Sequence, residues 1–271
     1  MSGAARGLAQ RAADLLGGGL RSARTLQGGD LSEVVRLEVL DGRCAVAKTA
    51  PGATAEAGML RALDAAGVPV PGVLAVAEGL LVLEDLGPSG GLQGAWGDLG
   101  AVLRRLHGVR GPGYGWGCDY AFGPVPIANA PCDDWPTFWA ERRLLPFCAH
   151  LPAPLARRVE ALALRLPEAL PRHPAPALLH GDLWTGNILA RGGRVVGLID
   201  PACHHGHAEV DLAMLRLFGQ PGPAFEDAYG APEPGAAERR PIYQLWPALV
   251  HLRLFGAAYL GLVERCLGVR R

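Results

Sequence analysis

Lysine is almost absent from this chain: of 26 basic residues 25 are arginines, and the single lysine is Lys48. Net charge is lacking too. The 26 acidic residues cancel the 26 basic ones, so no surplus positive charge is available to hold nucleic acid or an anionic membrane. The arginine pairs at 104–105, 142–143, 157–158, 239–240 and 270–271 are scattered and read as solvated helix faces. No run of eighteen apolar residues is free of charge, which argues against a membrane-spanning helix. The six cysteines (44, 118, 132, 148, 203 and 266) include no CxxC and no Cys/His pairing at zinc-finger spacing. Without a secretion signal they read as reduced thiols of a cytoplasmic protein. The first 23 residues hold several arginines and few acids, as transit peptides do. Leu8, Ala12, Leu15 and Leu16 nevertheless recur at helical spacing around Asp14, which predicts an amphipathic helix packed on the first lobe. The expected assembly is a monomer or weak homodimer.

What is present lies mostly in two short motifs. At 271 residues and 49% hydrophobic composition, the chain can bury one large core or build two lobes. The stretch HGDLWTGN at 180–187 sets Asp182 five residues before Asn187, and Asp200 ends an apolar run eighteen residues after Asp182. Kinase-type phosphoryl transfer uses this arrangement: one acid takes the hydroxyl proton while an Asn and an Asp hold magnesium. Residues 188–190 and 194–199 flank Gly192-Gly193 and predict an antiparallel hairpin. Such a hairpin leaves Asn187 and Asp200 at the same open end. Strands about 5 Å apart, rising about 3.3 Å per residue, bring their backbones within roughly 10 Å, near enough to share a cation.

The lone lysine marks the second motif. Residues 34–40 and 44–48 flank Asp41-Gly42 and predict a β-hairpin carrying Lys48. A compact ammonium suits contact with nucleotide phosphates, whereas a guanidinium is bulkier and differently directed. Glu56 follows in the helix-forming stretch 54–66, with Thr54 as candidate N-cap and Gly67 as the stop before Pro69. It is the candidate ion-pair partner of Lys48. Gly28, Gly29 and Asp30 begin twenty residues before Lys48 and are candidates for a phosphate-approaching loop. A further hairpin is predicted from 73–77 and 80–83, after which residues 84–88 break the pattern. Glu84 and Leu86 are the candidate hinge, whose backbone would meet an adenine edge.

Beyond Asp98 the pattern turns helical. Leu99, Val102, Leu103 and Leu106 share one face, and 135–147, 155–166, 209–218 and 243–267 predict further helices. The Gly/Pro-rich segments 108–132 and 219–238 read as loops. The expected fold is α+β and bilobal. Residues 1–86 form a small antiparallel-sheet lobe that binds nucleotide, and residues 87–271 form a mainly helical lobe with the catalytic hairpin and acceptor site.

With these motifs placed, the chain resembles the fructosamine (ketosamine) kinase family, relatives of aminoglycoside and choline kinases with a protein-kinase-like fold. The resemblance runs from GGD at 28–30, VAK at 46–48 and EAGMLRAL at 56–63 through YGWGCDYAFGPVPIAN at 114–129 and DWPTFWAERRLLP at 134–146. It continues in HGDLWTGNILA at 180–190, IDPACHHGHAEVDLAML at 199–215 and the tail at 242–260. It implies ATP and Mg²⁺ as cofactors, and phosphorylation of the C3 hydroxyl of a ketosamine, free or on a glycated protein. On that resemblance Asp182 is the base, Asn187 and Asp200 hold Mg²⁺, and Lys48, steadied by Glu56, touches the phosphates. Trp184, Asp119 and His251 would face the acceptor. Tyr120, Ile127 and Val250 depart from the pattern, standing where the family usually carries Asn, Gln and Asn. An aminoglycoside- or choline-type acceptor therefore stays open. A catalytically silent nucleotide-binding module would lack a metal or base residue, and none is missing. The glycine-loop cysteine of some members has no counterpart between Gly28 and Glu33.

Other conspicuous residues take structural readings. His204, His205 and His207 are expected to shape a loop, because strand neighbours alternate faces and no Cys or carboxylate completes a zinc set at the usual spacing. Asp211 is expected to clamp the catalytic-loop backbone and His180 to orient it. Trp135, Phe138 and Trp139 are expected in the core.

Overall fold

The computed structural model describes residues 1–26 and 32–268. Its first half is an antiparallel sheet of β1 (Leu20–Thr25), β2 (Val34–Val39), β3 (Cys44–Thr49), β4 (Val73–Ala77) and β5 (Leu80–Glu84), in the order β1-β2-β3-β5-β4. Alternation along the strands decides the two faces. Val35, Leu37, Ala45, Ala47 and Val82 pack under helix α1 (Gly3–Leu15), meeting its Leu8, Ala9 and Ala12. Leu81 and Leu83 point the other way, onto Ala53, Ala57 and Leu60 of α2 (Ala53–Ala65). Lys48, one residue past Ala47, therefore faces the α2 side. The predicted N-terminal helix forms and is capped by Ser2, but Leu15 turns to solvent. Thr54 does not cap α2. The helix begins one residue earlier, its cap position is Gly52, and no side chain closes it.

The second half is mainly helical. In α3 (Trp96–Gly108), Leu99, Val102, Leu103 and Leu106 are buried together, as their spacing predicts. Segment 135–147 is not one α-helix. It runs as α4 (Trp135–Trp139), capped by Asp134, then widens into a π turn (Ala140–Leu144) and tightens into a 3-10 turn (Leu145–His150). Pro146 has no N–H to continue the α ladder, which accounts for the change. Both segments read as loops contain structure. The ribbon β6 (Tyr120–Phe122) with β7 (Val125–Ile127) lies in 108–132, with strands too short for periodicity to reveal. Helix α7 (Pro223–Tyr229) lies in 219–238 and buries Phe225 with the α3 leucines.

Helices α5 (Ala153–Ala169) and α6 (Glu209–Phe218) match their predictions closely. The tail is split at Gly256, whose φ of 78° suits glycine, into α8 (Ala236–Phe255) and α9 (Leu260–Cys266). This tail has the length and apolarity of a membrane span, at a mean hydropathy of 1.3. Its Tyr243, Leu245, Trp246 and Leu249 are buried around Trp135 and Trp139, and a third of its most apolar stretch is buried in all. Two ribbons carry the site: β8 (Ala177–Leu179) with β11 (His204–Gly206), and β9 (Ile188–Arg191) with β10 (Arg194–Leu198). Helix α2 belongs to both halves. Its Met59 and Leu63 join Leu103, Leu183 and Leu198 in one cluster, and the Leu198 N–H donates to Pro69 O at 2.8 Å.

Candidate active site

Strand β8 ends at Leu179 and delivers His180, Gly181 and Asp182 to the cleft. Gly181 has φ 81°, and a Cβ there would lie 2.0 Å from Ala202 O, so only glycine fits. The turn is held from behind by α6: Asp211 accepts from the His180 N–H (2.7 Å) and the Gly181 N–H (2.9 Å), and it meets His107 Nε2 at 3.1 Å. Burial works against the Asp211 charge, but these partners hold its pKa below the ordinary value. The clamp expected from sequence is therefore present. His180 accepts from the Asp182 N–H at Nδ1 and reaches Ile199 O with Nε2 at 3.0 Å. That pair of contacts places its proton on Nε2, and burial keeps the ring neutral.

The catalytic hairpin closes as predicted, with Arg191 paired to Arg194 across the two glycines. At its open end the Ile199 N–H donates to Asn187 O at 3.0 Å. Asn187 Nδ2 donates to Asp182 O (2.9 Å) and to Asp182 Oδ2 (3.0 Å), which leaves its amide oxygen to turn toward a cation. Asp200 is the one non-glycine residue with positive φ (54°) among those described. Such strain persists where the surrounding fold enforces it, often at functional sites. Lys48 Nζ donates to Glu56 Oε1 at 2.9 Å and to Asp200 Oδ1 at 2.5 Å. Residues 48, 56 and 200 thus meet, and 182 and 187 meet beside them.

The electrostatics are uneven. Burial disfavours the Lys48 charge, yet Glu56 and Asp200 outweigh it and lift its pKa. Burial raises the Glu56 carboxyl, which Lys48 offsets only in part. Asp182 keeps some exposure to the cleft, but enclosure pushes its pKa up to about 7, with Asn187 lowering it and Asp200 raising it. A poised carboxylate, a paired lysine and an Asn/Asp oxygen set form the constellation of a phosphotransferase.

A model of the fructosamine kinase family matches residues 9–269. The chain belongs to the fructosamine kinase family. A Thermus thermophilus protein named probable ketoamine kinase is 40% identical over 258 residues, covering 90% of this chain and 92% of that one. A Synechocystis protein with the same designation is 39% identical over 189 residues, 66% of this chain and 63% of its own length. The crystal structure of a Thermobifida fusca protein, described as a candidate fructosamine-3-kinase, superposes with a TM-score of 0.87 at 33% identity over 96% of each chain.

The other predicted fructosamine kinase positions are less uniform. Gly28, Gly29 and Asp30 lie outside the described residues. At the expected hinge the Glu84 N–H donates to Gly72 O and Leu86 O accepts from Arg191. Trp184 is 40% exposed and meets Phe218 edge-on, and His251 lies against the same Phe218. Asp119 does not join the cluster in any described contact. Its carboxylate accepts from the Asn129 N–H at 2.7 Å and so braces the loop, with Asn129 in turn bonded by buried Arg143.

The residue missed from sequence is its neighbour. The Tyr120 hydroxyl lies 3.4 Å from Glu56 Oε2. The three departures fall together: Tyr120 pairs with Ile127 across β6 and β7, and Ile127 and Val250 share the same core cluster. The histidines depart from the loop reading: His204 and His205 lie in strand β11, paired with β8, and His207 stands one residue past its end. Glu209 and Glu233 approach His207, all three offering ligand atoms within 4.8 Å. Arg239 already takes both Glu209 oxygens, at 2.5 and 2.8 Å, so an ion-pair network accounts for these acids.

Proposed function

We propose that this chain is an ATP-dependent kinase for the C3 hydroxyl of ketosamines, the ribulosamine or fructosamine adducts of amines and glycated proteins. The observation that carries this reading is Lys48 held jointly by Glu56 and Asp200, beside an Asp182 oriented by Asn187. The names of the relatives support the acceptor class. Residues 1–86 would bind the nucleotide, with Leu86 at the hinge and Gly28, Gly29 and Asp30 over the phosphates, and residues 87–271 would hold the acceptor.

The donor set suits a hard divalent cation: the Asp200 carboxylate and the Asn187 amide oxygen are the oxygen ligands Mg²⁺ takes. Three carboxylates facing one ammonium also leave negative charge for such an ion to balance. MgATP, when bound, supplies the phosphoryl group. Asp182 aligns the acceptor hydroxyl and takes its proton late, Asn187 holds Asp182 in place, and Lys48 offsets phosphate charge. Trp184 and His251 would wall the sugar from one side and the loop braced by Asp119 from another. The protein would work as a cytoplasmic monomer or weak homodimer, without nucleic acid or membrane.

Loss of amides at Tyr120, Ile127 and Val250 favours a second reading, the same chemistry on an aminoglycoside- or choline-type acceptor. Labelled ATP offered with ribulosamine, fructosamine, an aminoglycoside and choline separates the two. Transfer to the ketosamines alone is expected. Transfer to choline or the aminoglycoside alone moves the assignment to the second reading, and ATP binding without transfer to any acceptor argues for a silent module.

A further inference from the structure

We infer that Tyr120 is a positioning residue for the nucleotide site, a latch that reaches across the cleft and holds Glu56 in register with Lys48. This rests on the kinase reading of Lys48 and Glu56 given above.

The Glu56 carboxylate is shared. Oε1 accepts from Lys48 at 2.9 Å, while Oε2 faces the Tyr120 hydroxyl at 3.4 Å. The first contact comes from within the sheet half and the second from β6, on the helical side of the cleft. One oxygen taken by each partner leaves the carboxylate little freedom to rotate. The contact is long, so its worth is that of a weak charge-assisted bond.

A second observation is independent of that bond. The Tyr120 ring lies against Gly52, the cap position of α2, where an added Cβ would come within 3.1 Å of Tyr120 Cε2. Gly52 has φ −96°, a value any residue can adopt. Its lack of a side chain therefore gives room to the ring, which a Cβ would press by a few tenths of an ångström, and is not demanded by the backbone. Tyr120 thus meets α2 at two points, its cap residue by packing and Glu56 by the hydroxyl. The ring is seated from below by Ile127 across the ribbon and by Phe122, edge-on at 6.1 Å. Burial, then Glu56, Asp200 and Asp182, raise the phenol pKa, so the hydroxyl keeps its proton and acts only as a donor here. With β6 anchored on the helical side, the position of the 114–129 loop and the affinity for nucleotide become linked.

The alternative is a tyrosine that merely fills space between the halves. Tyr120→Phe in the full chain separates the two, since it keeps the ring against Gly52 and Ile127 and removes only the hydroxyl. Binding of the non-hydrolysable analogue AMP-PNP with Mg²⁺, followed by calorimetry without acceptor, should weaken roughly three- to tenfold. The melting temperature should stay at the parent value, and KM for ATP should rise more than kcat falls. Gly52→Ala, whose Cβ presses on the ring, should weaken AMP-PNP in the same direction and by no more. In a Glu56→Ala background, where no side-chain acceptor remains, Tyr120→Phe should add nothing. Parent-like AMP-PNP affinity in Tyr120→Phe, or a full additive loss in the Glu56→Ala background, overturns the latch. A parent protein that binds no AMP-PNP overturns the kinase reading itself.

Discussion

The catalytic loop has a front and a back, and two aspartates eleven residues apart show the difference. Asp211, behind the loop, is fully buried and accepts from two backbone N–H groups while meeting His107. Asp200, in front, is half-exposed, sits on strained backbone, and shares one lysine with Glu56. Satisfied charge lies behind and unbalanced charge in front. A fold that spends polar satisfaction on the back holds rigid the geometry it leaves electrostatically unfinished at the front. Substitutions in front should therefore cost turnover, and those behind should cost stability.

The largest effect is expected at Asp182. Asp182→Asn should lower turnover by roughly 10²–10⁴-fold with ATP affinity little changed. Because burial raises its pKa to about 7, ionised Asp182 is a cost to folding, and the melting temperature should hold or rise. A variant that loses its fold along with its activity would erase the distinction between front and back.

Behind the loop, Asp211→Asn gives the opposite signature. An amide offers one acceptor oxygen where the carboxylate offered two, and it turns an NH₂ toward a backbone N–H. Unfolding by denaturant should show a loss of about 3 kcal/mol. Equal stability of variant and parent would remove the clamp.

The same contrast has a pH dependence. Burial lowers His204 to about 3, so as pH falls below about 6.5 the unfolded chain takes up a proton that the folded chain refuses. Stability from this group is thus complete above about pH 6.5 and lost toward acid, by about 2 kcal/mol at pH 5. His180, also lowered by burial, acts in the same direction. Asp182 works the other way, since the cost of its ionised form, full above about pH 7, is relieved as pH falls toward about 4. Denaturant midpoints at pH 7 and 5 should fall less in His204→Leu than in the parent, and more in Asp182→Asn. A His204→Leu midpoint that falls as far as the parent's would contradict the histidine account.

The front was legible in the sequence because its geometry is local. Asp182, Asn187 and Asp200 are tied by one short hairpin, and Lys48 and Glu56 by a strand and the helix after it. The rest depends on contacts that no spacing encodes. Tyr120 meets Glu56 across 64 residues of chain, and Asp119, the expected acceptor residue, differs from it by a single step that carries a side chain elsewhere. Helix α7 hid in a Gly/Pro-rich segment because only seven residues form it and tertiary packing of Phe225 stabilises it. The bilobal fold needed only hairpin turns and helical faces to be read, whereas the residues expected to face an acceptor are placed by packing.

Trp184 supplies the smallest test and the finest one. It stands in front, 40% exposed, with its ring over Gly186 and edge-on to Phe218. An aromatic so exposed contributes little to folding, so Trp184→Ala should change stability by less than about 1 kcal/mol. If it walls the acceptor, KM for a ketosamine should rise roughly three- to tenfold while KM for ATP stays put. A loss confined to stability would move Trp184 to the back of the loop in character and narrow the front to its charged residues alone.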